Sequence, residues 1–205
     1  MSFDTYQHIY IPAKEKISAT ILLLHGMGGD ESSLLKIAKA IAPTMSILSL
    51  RGNVIENRQT RFYKSGFLLD DIKEQSTAMQ SFCEEAARTY GFDSQKMVAC
   101  GWSNGANMVS LLLLYAPGFL KGAMLFRPML PPAPSPLPSL CKTPVFISGG
   151  RCDEVDPPEE SEQLAETLRK AGATVAFRWH EGGHAIAQDD IETAASWVQT
   201  SFSPT

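Results

Sequence analysis

The sequence predicts an α/β fold, with a mostly parallel central sheet of about seven strands and helices on both faces. Two features support this. Short apolar runs alternate with longer stretches of helical apolar spacing from one end of the chain to the other. Strands that alternate with helices join through right-handed crossovers, which make a parallel sheet covered on both sides. The 205 residues suit a single domain spanning 1–205 with one sizeable core.

In order, Tyr6–Ile11 reads as an antiparallel edge strand, and Thr20–Leu24 as a buried strand ending in the turn His25-Gly26-Met27-Gly28-Gly29. Glu31–Ile41 has helix-spaced Leu34, Leu35, Ala38 and Ile41. Met45–Leu50 is a strand that runs into the polar loop Arg51-Gly52-Asn53. Asp70–Tyr90 is a long amphipathic helix stopped by Gly91. Lys96–Cys100 is a strand, followed by the turn Gly101–Gly105 and an apolar helix to about Tyr115. Gly122–Phe126 is a strand, and the proline-rich segment Pro128–Pro138 cannot be a helix. Pro144–Ser148 is a strand before a helix over Pro157–Ala171, where proline is tolerated at the start and Gly172 ends it. Thr174–Trp179 is the last strand and Ala187–Thr200 the last helix. Only Arg51–Leu69 and Pro128–Lys142 are long connections, so no large lid domain is expected.

Bulk properties narrow the function classes. A composition of 44% hydrophobic and 20% charged residues is that of an ordinary globular protein. A net charge of -4 without a basic face argues against a nucleic-acid partner. The longest apolar run, around Val109–Leu114, is too short to span a bilayer. Met1-Ser2-Phe3-Asp4 has neither a positive nor an apolar leader region, which sets a cytoplasmic expectation. Cys83, Cys100, Cys141 and Cys152 have no metal-like spacing and are expected to be free thiols; no metal is expected.

Gly101-Trp102-Ser103-Asn104-Gly105 follows the apolar run Met97–Cys100 and precedes the helical pattern Ala106–Tyr115. A strand-to-helix turn that exposes a serine strains the backbone at that serine. It brings the residues two before and two after into close approach, hence glycine at 101 and 105. Ser103 is the candidate nucleophile, and serine needs a general base. In the chain order serine, acid, histidine, only His180 and His184 follow Ser103. His184 lies in a loop just past the last strand, where open α/β sheets place their sites. His180 ends the strand itself and reads as structural. The acid is sought after Pro144–Ser148, where Asp153 and Asp156 both qualify and Glu154 is a weaker third. Asp156 precedes Pro157-Pro158 and reads as a helix N-cap, leaving Asp153 for the histidine. The oxyanion donors are expected to be the Asn104 amide and the Met27 amide, with His25 as a support.

These motifs, Leu24–Glu31, Gly101–Gly105, Gly150–Asp153 and Gly183-His184, together resemble the phospholipase/carboxylesterase family of α/β-hydrolases, which includes the acyl-protein thioesterases. The resemblance runs nearly end to end. Arg51-Gly52-Asn53-Val54, Glu56-Asn57 and Arg127-Pro128-Met129 look like its small bacterial carboxylesterases. It implies the triad Ser103, Asp153 and His184, with Met27 and Asn104 donating to the oxyanion, and no metal and no cofactor; a homodimer is common among relatives, and the short connections lead to the expectation of a small-molecule ester substrate. Asn104 stands where many members carry glutamine, and Glu154-Val155-Asp156-Pro157 departs from the usual continuation after the acid, which keeps Asp156 open. Arg51, Trp102 and Arg127 are the expected substrate-binding residues, with Arg58 and Arg61 as further possible clamps and Phe62 as a pocket wall. Short-chain or aryl esters suit an open site. The alternatives are thioesterase or lysophospholipase activity, and a non-catalytic binding protein that keeps the fold.

Overall fold

The computed structural model describes residues 5–14 and 19–202; Met1–Asp4, on which the reading of the leader rests, lie outside them. The central sheet has seven strands: β1 (His8–Ile11), β2 (Thr20–Leu24), β3 (Ser46–Leu50), β6 (Met97–Trp102), β7 (Gly122–Phe126), β8 (Pro144–Gly150) and β9 (Thr174–His180). Their order is β1-β3-β2-β6-β7-β8-β9. Every neighbouring pair is parallel except the edge pair, in which β1 runs antiparallel to β3 with His8 opposite Leu50. The α/β expectation and the antiparallel edge are both met.

The central strands are buried along their length, as β2 is at all five positions. Side-chain alternation divides each between two core layers. Leu22 and Leu24 face the layer shared with helices α2 (Leu69–Tyr90), α3 (Asn104–Tyr115) and α4 (Pro158–Lys170). Ile21 and Leu23 face the layer shared with α1 (Leu35–Ile41) and α5 (Gln188–Phe202). Register therefore decides which helices each strand packs against.

Two local features differ from the sequence reading. Helix α1 starts at Leu35, four residues after the expected Glu31. Asp30 Oδ1 accepts from the Ser32 amide and from the Ser32 and Ser33 hydroxyls, so this stretch forms a side-chain-held turn instead. The loop after β3 contains a hairpin of β4 (Val54–Glu56) and β5 (Gln59–Arg61). Asn57 and Arg58, at φ 51° and 63°, make its two-residue turn. Both centres having positive φ matches the right-handed twist of the paired strands. Among the described residues this hairpin is the one sheet outside the central one, and no helix is long and apolar enough to cross a membrane.

The carboxyl ends of β2, β6, β8 and β9 thus deliver the turn at 25–29, Ser103, the loop at 151–157 and the loop at 181–187 to the same end of the sheet.

Candidate active site

Ser103 sits between β6 and α3 at φ 52°, ψ −119°, a backbone that L-residues rarely adopt. Its amide donates to the Phe126 carbonyl at 2.9 Å, and its carbonyl accepts from Asn107, starting α3. The glycines around it are required by contact. A Cβ on Gly101 would lie 2.5 Å from the Gly105 carbonyl carbon, and one on Gly105 would strike the Leu24 carbonyl. The expected elbow is present, and the first amides of α3, Asn104 among them, lie in the turn that has no intrahelical acceptors.

His184 meets Asp153. Its Nδ1 lies 2.9 Å from Asp153 Oδ2 and 3.1 Å from Oδ1, and the Asp153 side chain is only 3% exposed. Asp153 is also fixed from its own loop, since Oδ1 accepts the Val155 and Asp156 amides at 2.9 and 3.1 Å. Burial by itself would raise the carboxyl. The amide bonds and the imidazole outweigh it and hold Asp153 below its ordinary value, as an anion. The elbow and the His184 loop are tied by Trp102, whose Nε1 donates to the His184 carbonyl at 2.9 Å. The two rings stand 5.7 Å apart.

Asp156 is not the helix cap that its position before two prolines suggested. The N-cap of α4 is Pro157, without a side-chain bond. Asp156 instead turns toward the site, with Oδ2 3.9 Å from His184 Nδ1. Burial pushes its carboxyl up to about 6, despite the nearby imidazole; Asp153 and Glu160 add to the rise.

At the turn 25–29, expected to supply an oxyanion donor, the Gly28 and Gly29 amides are committed to the Thr60 and Gly26 carbonyls at 2.9 and 3.0 Å. The Met27 amide, just before these two, has no protein acceptor among the described residues. His25 braces the turn: its Nδ1–H donates to the Gly26 carbonyl at 2.6 Å, and its Nε2 accepts the Gly52 amide at 2.9 Å. Burial lowers its pKa, which keeps it neutral and able to accept. His180 is also structural, with Nδ1 accepting from Gly182 and Nε2 2.9 Å from Asp189.

Four of the expected substrate contacts, Arg127, Arg51, Arg61 and Phe62, are engaged within the protein itself. Arg127 is wholly buried, with its side chain and that of Asp190 both 0% exposed and 2.7 Å apart. Its guanidinium donates to the carbonyls of Gly183 (2.8 Å) and Ala185 (3.0 Å), on either side of His184, and to Ser148 Oγ at 2.8 Å. It therefore clamps the histidine loop and leaves no donor for a ligand. Arg51 is held by Glu31, with Nε 2.5 Å from Oε2 and a second bond of 3.0 Å, so its fork is already occupied. Arg61 is likewise paired, with Glu56, whereas Arg58 is exposed at the hairpin turn. Phe62 is a core residue packed against His25 at 4.8 Å between ring centres.

Asp190 was missed in the sequence, although a signal exists. It is the third residue of α5, and Oδ2 reaches back to the Ala187 amide at 2.9 Å, half of a capping box. Burial would raise its carboxyl, but bonds from Arg127, the Ala187 amide and Ser148 outweigh it and keep it below its ordinary value. The four cysteines are free, and burial pushes the Cys100 thiol up to about 12, as suits an inert core residue.

A family model described as phospholipase/carboxylesterase matches residues 6–202. The chain belongs to this phospholipase/carboxylesterase family. It is 39% identical over 197 residues to "Putative hydrolase MhqD" of Bacillus subtilis (strain 168), covering 94% of this chain and 98% of that protein. The structure is similar to that of a Bacillus cereus carboxylesterase, with a TM-score of 0.92, 37% identity, and 96% and 95% of the two chains covered. A Mesorhizobium loti carboxylesterase gives a TM-score of 0.86 at 30% identity, over 95% and 94% of the two chains. The chain accordingly has the α/β-hydrolase fold of a carboxylesterase-type hydrolase family.

Proposed function

We propose that this member of the family is a serine carboxylesterase acting on small esters, short-chain or aryl, through a covalent acyl-enzyme. The observation that carries the reading is the Asp153–His184 pair at 2.9 Å, joined through Trp102 to the strained turn that presents Ser103.

In the first half-reaction His184 Nε2 takes the Ser103 proton as Oγ attacks the ester carbonyl. Asp153 accepts Nδ1–H, which leaves Nε2 free to act as the base and stabilises the imidazolium that forms. The carbonyl oxygen becomes an anion received by the Met27 and Asn104 amides, with the N-terminal end of α3 adding a favourable dipole. Collapse of the intermediate expels the alcohol, protonated by His184. Water then attacks the acyl-serine by the same steps in reverse and releases the acid.

Loops of limited length surround this end of the sheet, and the long connection after β3 is used for the β4–β5 hairpin instead of a lid domain. That openness supports small esters. The test is Ser103→Ala assayed with p-nitrophenyl acetate and a fluorophosphonate probe. The variant should lose turnover by about 10⁴-fold or more and all labelling. Equal rates in variant and wild type would overturn the reading, and a parallel panel of thioesters should show lower kcat/KM than the matched oxygen esters.

A further inference from the structure

His184 has two carboxylates on the same side. Asp153 accepts its Nδ1–H at 2.9 Å, and Asp156 Oδ2 lies 3.9 Å from the same nitrogen. Both belong to the loop after β8, and the Asp156 amide donates to Asp153 Oδ1 at 3.1 Å, so the two side chains are held in fixed relation. Asp156 makes no helix cap, and its side chain is only 13% exposed. A buried carboxylate with no capping duty, turned toward an imidazole, needs a reason to be there, because desolvating it is costly.

We infer that Asp156 is a second positioning carboxylate for His184, able to take over Nδ1–H when Asp153 cannot. This rests on the triad reading above. Asp156 would have to close about one ångström to make a full hydrogen bond, a shift within reach of a single rotamer adjustment. The groups that face it are His184 from the loop after β9, Asp153 in its own loop, Glu160 from α4, and the Tyr63 hydroxyl from the segment before α2. Burial above all, with Asp153 and Glu160 adding to it against the pull of His184, keeps its proton affinity high, which suits an auxiliary acceptor that ionises only near neutral pH.

The experiment compares Asp153→Asn, Asp156→Asn and the double variant. Asparagine at 153 retains an oxygen for the Val155 and Asp156 amides, so the loop keeps its anchors. It cannot accept Nδ1–H as a carboxylate does, and by itself such a change costs about 10⁴-fold in kcat. With Asp156 as substitute, Asp153→Asn should lose only about 10- to 100-fold, and the double variant should fall the remaining distance to about 10⁴-fold. The residual activity of Asp153→Asn should also rise with pH as Asp156 ionises. Equal activity of Asp153→Asn and the double variant would overturn the assignment. A second readout is independent of turnover. The downfield Nδ1–H proton resonance of His184, followed by NMR in ¹⁵N-histidine protein, should persist in Asp153→Asn and vanish in the double variant. Its loss already in Asp153→Asn would refute Asp156 as acceptor, even if ester hydrolysis itself proved not to be the reaction.

Discussion

Replacing Arg127 with methionine should uncouple the histidine loop from the sheet. The substitution keeps most of the buried volume but leaves Asp190, whose side chain is 0% exposed, without its counter-charge. It also removes donors from the carbonyls of Gly183 and Ala185. Breaking a fully buried pair costs about 3–5 kcal/mol, because the remaining ion has lost its solvation. Asp190 keeps the Ala187 amide and the Ser148 hydroxyl, which places the loss at the lower end, about 3 kcal/mol. In a chain of this size that corresponds to a fall in Tm of roughly 6–12 °C. Urea unfolding gives the stability, and p-nitrophenyl acetate turnover gives the activity. The companion variant Arg127→Met/Asp190→Leu removes the orphaned charge and should recover most of the stability. Its kcat should stay depressed, since nothing then holds the carbonyls flanking His184. A loss under about 1 kcal/mol in the single variant, or wild-type kcat in the double, would refute the clamp.

Two further outcomes test other parts of the site. Gly105→Ala drives a methyl group into the Leu24 carbonyl, so the elbow must shift. Fluorophosphonate labelling should fall by at least about 100-fold, since misplacing a reacting group by an ångström costs that much. Labelling at the wild-type rate would mean that the turn has room the structure does not show. Asp156→Asn should be more stable than wild type at pH 8 by about 1–2 kcal/mol, allowing for its partial exposure to solvent, and the gain should disappear below about pH 4. The sign follows from a folded-state value raised to about 6 from an ordinary 3.8. The folded protein holds the Asp156 proton more tightly, so wild type loses stability as pH rises through that interval. Thermal melts of both proteins at pH 4 and pH 8 measure it, and a constant offset between them would contradict the raised value.

Much of the geometry around the candidate site is legible in the sequence. The requirement for glycine at 101 and 105 follows from the geometry of any turn that exposes a serine between a strand and a helix, and both contacts are as tight as expected. His184 was separable from His180 because one lies past a strand's carboxyl end and the other within the strand; His180 is indeed occupied by Gly182 and Asp189. What failed were assignments about side-chain direction. Asp156 before Pro157-Pro158 had every local mark of a cap, yet its carboxylate turns back toward His184. Arg51 and Arg127 looked like free charges beside a site, but Glu31, 20 residues from Arg51, and Asp190, 63 residues from Arg127, had already claimed them. Local sequence carries no information on partners at such separations.

The order of elements, the parallel sheet, the elbow and the order serine, acid, histidine follow from hydrophobic period, glycine placement and chain direction, all of which are written locally. Only the tertiary structure decided which carboxylate meets Nδ1 most closely, that the Gly28 and Gly29 amides are engaged while Met27 N–H is not, and that Arg127 serves the histidine loop. Those outcomes depend on distances of a few ångströms between loops that leave different strands. The relative placement of these loops is set by packing of the whole sheet against its helices, so no short window of sequence contains it.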